Sequence, residues 1–164
     1  MKIFVVGYMA AGKTRFAKKL AAQLGLSFID LDEVVLNEAK ISSAEYIRKF
    51  GESEFRKFEH DCLMKCLSSD NFVLATGGGT PCFFDNMNLM NKNGITVWLN
   101  IPFVHILQRL SNKRGDRPMV ATVNGKIDKI KVEEHYQKRI PFYKQAQIII
   151  DEADVNRVIE KLEL

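Results

Sequence analysis

Short apolar runs alternate along the chain with longer stretches in which apolar residues recur every three or four positions. Five runs read as strands: Ile3 to Val6, Ser27 to Asp30, Phe72 to Thr76, Thr96 to Leu99 and Ile148 to Ile150. Each is apolar almost throughout, the pattern of a strand covered on both faces. The stretches between them read as helices. Lys13 to Leu24 sets Phe16, Leu20 and Leu24 on one stripe, with Gly25 placed to end it. Ser42 and Glu45 have capping-box spacing at the head of a segment ending near Phe50. Glu52 to Leu67 carries Phe55, Phe58, Cys62, Leu63 and Cys66 at helical spacing, and Asp85, Pro102 and Asp154 mark further helix starts. Strand alternating with helix predicts an α/β fold, a parallel sheet with helices on both faces.

One stretch breaks the rhythm. From Lys113 to about Asp128 the chain is polar, contains glycine and has no clear period. It reads either as a surface loop or as an active-site lid.

Composition narrows the class without naming it. The 164 residues suit one domain, and 46% hydrophobic with 27% charged residues is ordinary for a globular protein. No apolar run approaches the roughly 18 residues of a membrane span, and the N-terminus does not read as a signal peptide. A cytoplasmic protein with no membrane partner is expected. The net charge of +4 is too modest to argue for nucleic acid, and the basic cluster NKRGDR is short and interrupted. Three cysteines do not make a disulfide framework. Cys62 and Cys66 read as small buried apolar residues rather than metal ligands.

The chemistry begins at GYMAAGKT. Gly7-x-x-x-x-Gly12-Lys13-Thr14 fits the P-loop pattern, and it lies between a predicted strand and a predicted helix, the context the motif requires. The loop's N–H groups, with Ala10 and Ala11 between the glycines, would converge on phosphate at the positive end of the following helix. Lys13 would reach the β- and γ-phosphates and the Thr14 hydroxyl would ligate Mg²⁺. ATP-type phosphate binding does not identify the acceptor, because switches, motors and small-molecule kinases share this loop. A guanine-reading N-K-x-D is missing, since Arg114 and Gly115 put the aspartate of NKRGD out of step.

Three further stretches should border the crevice beyond the carboxyl ends of the strands. FIDLDEVV ends the second strand with Asp30 and Asp32, which would point the same way if the chain stays extended. They read as metal and hydroxyl ligands or, more blandly, as a helix cap at Asp32 and a solvated Asp30. ATGGGTP ends the third strand with Gly77, Gly78 and Gly79, leaving bare backbone for a small ligand. Arg56, Arg117 and Arg139 offer guanidinium forks suited to carboxylate or phosphate, although any single arginine is more often a surface residue.

Together the motifs GYMAAGKT, FIDLDEVV, GESEFRKFE, ATGGGTP, RGDRPM and QKRIPFY resemble the shikimate kinase family, in order and over nearly the whole chain. The resemblance implies a single domain over residues 1–164. Its fold would be a three-layer P-loop fold of the nucleoside-monophosphate-kinase type, with a five-stranded parallel sheet flanked by helices on both faces. A mobile lid at about 112–128 and a shikimate-binding segment at about 31–60 go with it. The implied activity is ATP-dependent phosphorylation of the 3-hydroxyl of shikimate, on the way to chorismate and aromatic amino acids, with Mg²⁺ and in a monomer.

Carried over to this chain, the family pattern gives Gly7, Ala10, Ala11, Gly12, Lys13 and Thr14 to ATP, with Thr14 and Asp30 serving the metal, the latter through water. Asp32 would bond the ring hydroxyls and orient the attacking one. Arg56 and Arg139 would clamp the carboxylate, and the Gly78 backbone would meet a hydroxyl. Arg117 would reach the transferring phosphate, making Lys13, Asp32 and Arg117 the catalytic set. Arg109 is the candidate for stacking on adenine. Met119 stands where the family more often has leucine, a near-isovolumetric change. A kinase for another small hydroxy acid, such as gluconate, is the nearest rival reading.

Overall fold

The computed structural model describes residues 1–112, 122–123 and 126–162. Its first half runs β1 (Lys2–Val6), α1 (Lys13–Leu24), β2 (Ser27–Asp30), α2 (Leu31–Ala39), α3 (Ser43–Phe50), α4 (Glu52–Cys66) and β3 (Phe72–Ala75). A 3-10 turn (Thr80–Cys82), α5 (Asn86–Asn93), β4 (Ile95–Leu99) and α6 (Phe103–Asn112) follow. The chain closes with β5 (Thr122–Val123), β6 (Lys126–Ile127), α7 (Lys129–Tyr143), β7 (Ile148–Ile150) and α8 (Val155–Lys161).

Five strands pair in parallel in the order β2-β3-β1-β4-β7, flanked by the helices. β1 takes the centre because four of its five side chains, Ile3 to Val6, are apolar and can be buried on both faces. Each such side chain contributes roughly 1.5–3 kcal/mol on leaving water. Phe4 meets Phe72 of β3 edge-on at 5.6 Å. The connections leaving β1 and β3 run to opposite sides of β1, which opens a crevice at the carboxyl ends of these two strands. The local signals act as expected. Gly25 ends α1 in the left-handed region at φ 65°, and the Ser42 hydroxyl accepts the Glu45 N–H at 3.1 Å.

Two helices depart from the expectation. α2 starts directly after β2, with no loop between them. α7 is not expected from apolar periodicity, because its buried face, Val132, Tyr136, Arg139 and Tyr143, includes a cation, and Pro141 suggests a break. Asp128 nevertheless caps it, accepting the Lys131 N–H at 3.2 Å, and Pro141 falls in the last turn. Of the stretch expected to be irregular, residues 113–121 and 124–125 lie outside the described residues. β5 and β6 within it pair antiparallel, Thr122 opposite Ile127. Cys62 and Cys66 are buried in the apolar core, where desolvation pushes both thiols up, Cys62 to about 11. No helix among the described residues is long and apolar enough to cross a membrane.

Candidate active site

The nucleotide loop leaves β1 at Gly7, whose φ of 145° disfavours a side chain. Space excludes one as well: a Cβ there would lie 2.9 Å from the Leu99 carbonyl oxygen of the neighbouring strand. Ala10 (φ 61°) and Gly12 (φ 93°) also take left-handed conformations. Lys13, at the first position of α1, is buried and donates to the Tyr8 carbonyl at 2.9 Å. Arg109 of α6 donates to the carbonyls of Ala10 and Ala11, 3.0 Å each. That places Arg109 on the loop itself, where it engages two of its carbonyls.

Asp30 and Asp32 reach the crevice by a different route from the one their spacing suggests. The chain does not stay extended. Asp30 is the last residue of β2 and the N-cap of α2, its Oδ1 accepting the Asp32 N–H at 3.0 Å, while its Oδ2 accepts the Thr14 hydroxyl at 2.8 Å. The cap is therefore Asp30 rather than Asp32, and Asp32 sits in the first turn of the helix. Asp32 is exposed, with its open side on the cavity. Desolvation raises its pKa, opposed by Lys13 and reinforced by Asp30 and Glu59. Water entering through the open side tempers that push.

Each of the three glycines is bare because something else occupies the place of its Cβ. At Gly77 a Cβ would lie 2.8 Å from Glu59 Oε1 and 3.1 Å from Asp32 Oδ1. At Gly78 it would lie 3.0 Å from the Met9 backbone nitrogen and 3.3 Å from Arg139 Nη1. At Gly79 it would strike the Arg56 guanidinium. The run therefore serves close approach rather than unusual dihedrals.

Arg56 and Glu59 rise from α4, 5% and 2% exposed. Arg56 Nη1 donates to Glu59 Oε2 at 2.9 Å, the Thr80 hydroxyl donates to Glu59 Oε1 at 2.8 Å, and the Phe83 ring lies 4.6 Å from the guanidinium carbon. Arg56 Nε is buried with no hydrogen-bond partner among the described residues. Arg139 of α7 is also buried, at 6% exposed, beside the Tyr8 ring. It pairs with no carboxylate among the described residues.

These groups surround one cavity of about 760 Å³, lined by the nucleotide loop, Asp32, Arg56, Glu59, the three glycines and Arg139. The head of α3, at Ser42 to Ala44, closes another side. Lys13, Thr14, Asp32, Arg56, Gly78 and Arg139 are thus brought together, whereas Arg109 bonds the loop without lining this cavity and Arg117 lies outside the described residues. The site also employs residues given no role from sequence. Glu59 has a legible signal, a carboxylate on the apolar stripe of α4 between Phe55 and Cys62, where burial demands a charged partner. Tyr8, His135 and Tyr143 have none, because their partners are distant in sequence.

A phosphate loop leaving the central strand of a parallel sheet, beside a cavity carrying buried cations for an acceptor, defines a P-loop kinase. A deoxyadenosine kinase from M. mycoides with bound dATP shares this fold at TM-score 0.61 and 14% identity over the full length of both chains. The shikimate kinase family model matches residues 9–163, and the chain belongs to the shikimate kinase family. Shikimate kinase from Azobacteroides pseudotrichonymphae is 40% identical over 164 residues, 98% of this chain and 96% of that one. The crystal structure of shikimate kinase from Bacteroides thetaiotaomicron superposes at TM-score 0.90 with 37% identity, covering 100% of this chain and 99% of the other. Shikimate kinase from Acinetobacter baumannii in complex with shikimate gives TM-score 0.86 at 30% identity, covering 99% and 90%.

Proposed function

We propose that the protein transfers the γ-phosphoryl group of ATP to the 3-hydroxyl of shikimate, releasing ADP and shikimate 3-phosphate for aromatic amino-acid biosynthesis. The observation that carries the acceptor's identity is Arg139. A buried guanidinium without a carboxylate partner is costly, and a cavity-lining position lets an anionic ligand offset that cost. Arg56, with its unpartnered Nε, offers a second donor to the same ligand. A carboxylate gripped there leaves the ring hydroxyls facing Asp32 and the glycine backbone.

Phosphoryl transfer needs mainly positioning and stabilisation of charge. Gly7, Gly12 and the alanines between them shape the loop that holds the phosphates. Lys13 supplies positive charge to the transferring group. The raised pKa of Asp32 makes it a stronger acceptor for the hydroxyl's proton, and its position fixes which hydroxyl attacks. Thr14 and Asp30 present only hard oxygen donors, 2.8 Å apart, which fits Mg²⁺, an ion that takes few protein ligands. Bound there, Mg²⁺ supplies charge neutralisation on the phosphate oxygens. Arg117 is proposed to add charge from the lid.

An ADP-release assay with shikimate, gluconate and nucleoside monophosphates, with the product located by NMR, tests the reading. Turnover with shikimate and phosphate on its 3-oxygen is expected. ATP consumption with gluconate alone would overturn it.

A further inference from the structure

Tyr143 closes α7 one turn beyond Arg139 and is wholly buried. It does not line the cavity, yet it adjoins three groups that do or that support it. Its hydroxyl donates to the Gly78 carbonyl at 2.6 Å, across 65 residues of sequence. The Arg139 guanidinium lies within electrostatic reach of the same hydroxyl. Its ring packs on Trp98 with centroids 5.9 Å apart, and the Trp98 ring lies 3.5 Å from the place of a Cβ on Gly7 of the nucleotide loop.

The polarity of this bond is forced. A carbonyl only accepts, whereas a phenol can donate. The hydroxyl proton must therefore go to Gly78. Burial holds the phenol pKa far above its ordinary value, so the proton stays in place at any working pH. With its carbonyl engaged, the peptide between Gly78 and Gly79 cannot rotate freely, and its N–H is fixed on the opposite side of the plane.

We propose that Tyr143 is a positioning residue for the acceptor: by donating to Gly78 from the turn of α7 that follows Arg139, one buried side chain sets the spacing between the carboxylate clamp and the backbone edge that meets the substrate ring. The inference rests on the proposal that Arg139 and Gly78 bind shikimate. Phenylalanine at this position would keep the ring packing on Trp98 and lose only the bond to Gly78.

Calorimetric titration of wild type and Tyr143→Phe with shikimate and, separately, with an ATP analogue tests this, alongside kinetics and thermal melts. For Tyr143→Phe we expect shikimate affinity to fall about tenfold, which is about 1.4 kcal/mol. The KM for shikimate should rise in step, with the ATP-analogue Kd kept within twofold. Shikimate affinity within twofold of wild type would overturn the proposal. So would a matched loss of both affinities with a lowered melting temperature, because that marks a purely structural residue. Failure of the wild type to bind shikimate would instead remove the functional reading beneath it, and this proposal with it. Should Tyr143→Phe not fold, the wild type still decides. Its Tyr143 hydroxyl proton should appear in NMR protected from exchange and shift with shikimate but not with ADP, and a resonance that shikimate leaves unmoved would end the idea.

Discussion

Gly79 and Arg56 share one small volume: a methyl group on Gly79 would come within 2.7 Å of the Arg56 Cζ. The backbone at Gly79 is unstrained, at φ −89°, so the conflict is one of space alone. The guanidinium is held by Glu59 and by the Phe83 ring and has little room to retreat. Gly79→Ala should therefore displace Arg56 and raise the shikimate KM by about tenfold, near 1.4 kcal/mol, while ATP binding is retained. Gly25→Ala makes the contrasting control. Its φ of 65° costs about 1 kcal/mol of stability, nothing lies within 4 Å of the new methyl, and turnover should not change. Unaltered shikimate kinetics in Gly79→Ala would contradict the proposed clamp.

The two arginines of the clamp should behave differently when truncated. Arg139→Ala removes a cation that has no carboxylate partner among the described residues. It should weaken shikimate binding by roughly 2 to 4 kcal/mol with little loss of stability. Arg56→Ala also strands Glu59, 2% exposed, and should lower stability by about 3 kcal/mol or more. Adding Glu59→Gln should recover part of that stability without recovering shikimate affinity. Calorimetry and urea melts separate the two effects, and equal stability losses for the two alanine variants would refute the buried-pair argument.

Asp32 sets function against stability. Its carboxyl pKa is raised on folding, so the native state takes up this proton more readily than the unfolded chain. The group's stabilising contribution is present at low pH and is lost as pH rises through the folded value. At neutral pH the charge is a native-state cost. Asp32→Asn should accordingly melt at a higher temperature than wild type at pH 7, while kcat falls about a hundredfold or more. A lower melting temperature with activity preserved would reverse both assignments.

His135 bonds the Tyr8 hydroxyl at 2.7 Å, and desolvation followed by the Arg139 cation pulls its pKa down to about 4. As pH falls below its ordinary value of 6.5 the unfolded chain gains this proton first. Stability from this group is complete above about pH 6.5 and drains away toward pH 4. Because the imidazole is only half-buried, solvent screening keeps the effect modest. His135→Gln should show a shallower fall in melting temperature between pH 7 and pH 5 than wild type, and identical slopes would count against the pairing.

Arg117→Ala tests the role proposed for that residue. A group that contacts the transferring phosphate should lower kcat far more than shikimate affinity when removed. An effect confined to KM would assign it to binding instead.

Much of this molecule is local enough to read from the chain. The strand runs, the nucleotide loop between β1 and α1, the Gly25 stop and the Ser42 cap each depend on residues a few positions apart, because periodicity, capping and turn dihedrals are short-range properties. Even the residues proposed to bind the acceptor are legible as motifs. Local rules mislead where two of them compete. The spacing of Asp30 and Asp32 suggests one face of a strand, yet the capping power of Asp30 starts a helix between them. At α7 the requirement to bury Arg139 and Tyr143 outweighs the signal of Pro141.

What the residues alone determined, then, was which chemistry is present: a phosphate loop, carboxylates, guanidinium groups and bare backbone. Tertiary structure decided how they meet. That Gly79 must be small because Arg56 fills its side, that Glu59 and Thr80 secure that arginine, and that Tyr143 ties α7 to Gly78 all follow from strand order and helix docking. Contacts spanning 21 to 65 residues exist only once the core has closed, and no short-range pattern encodes them.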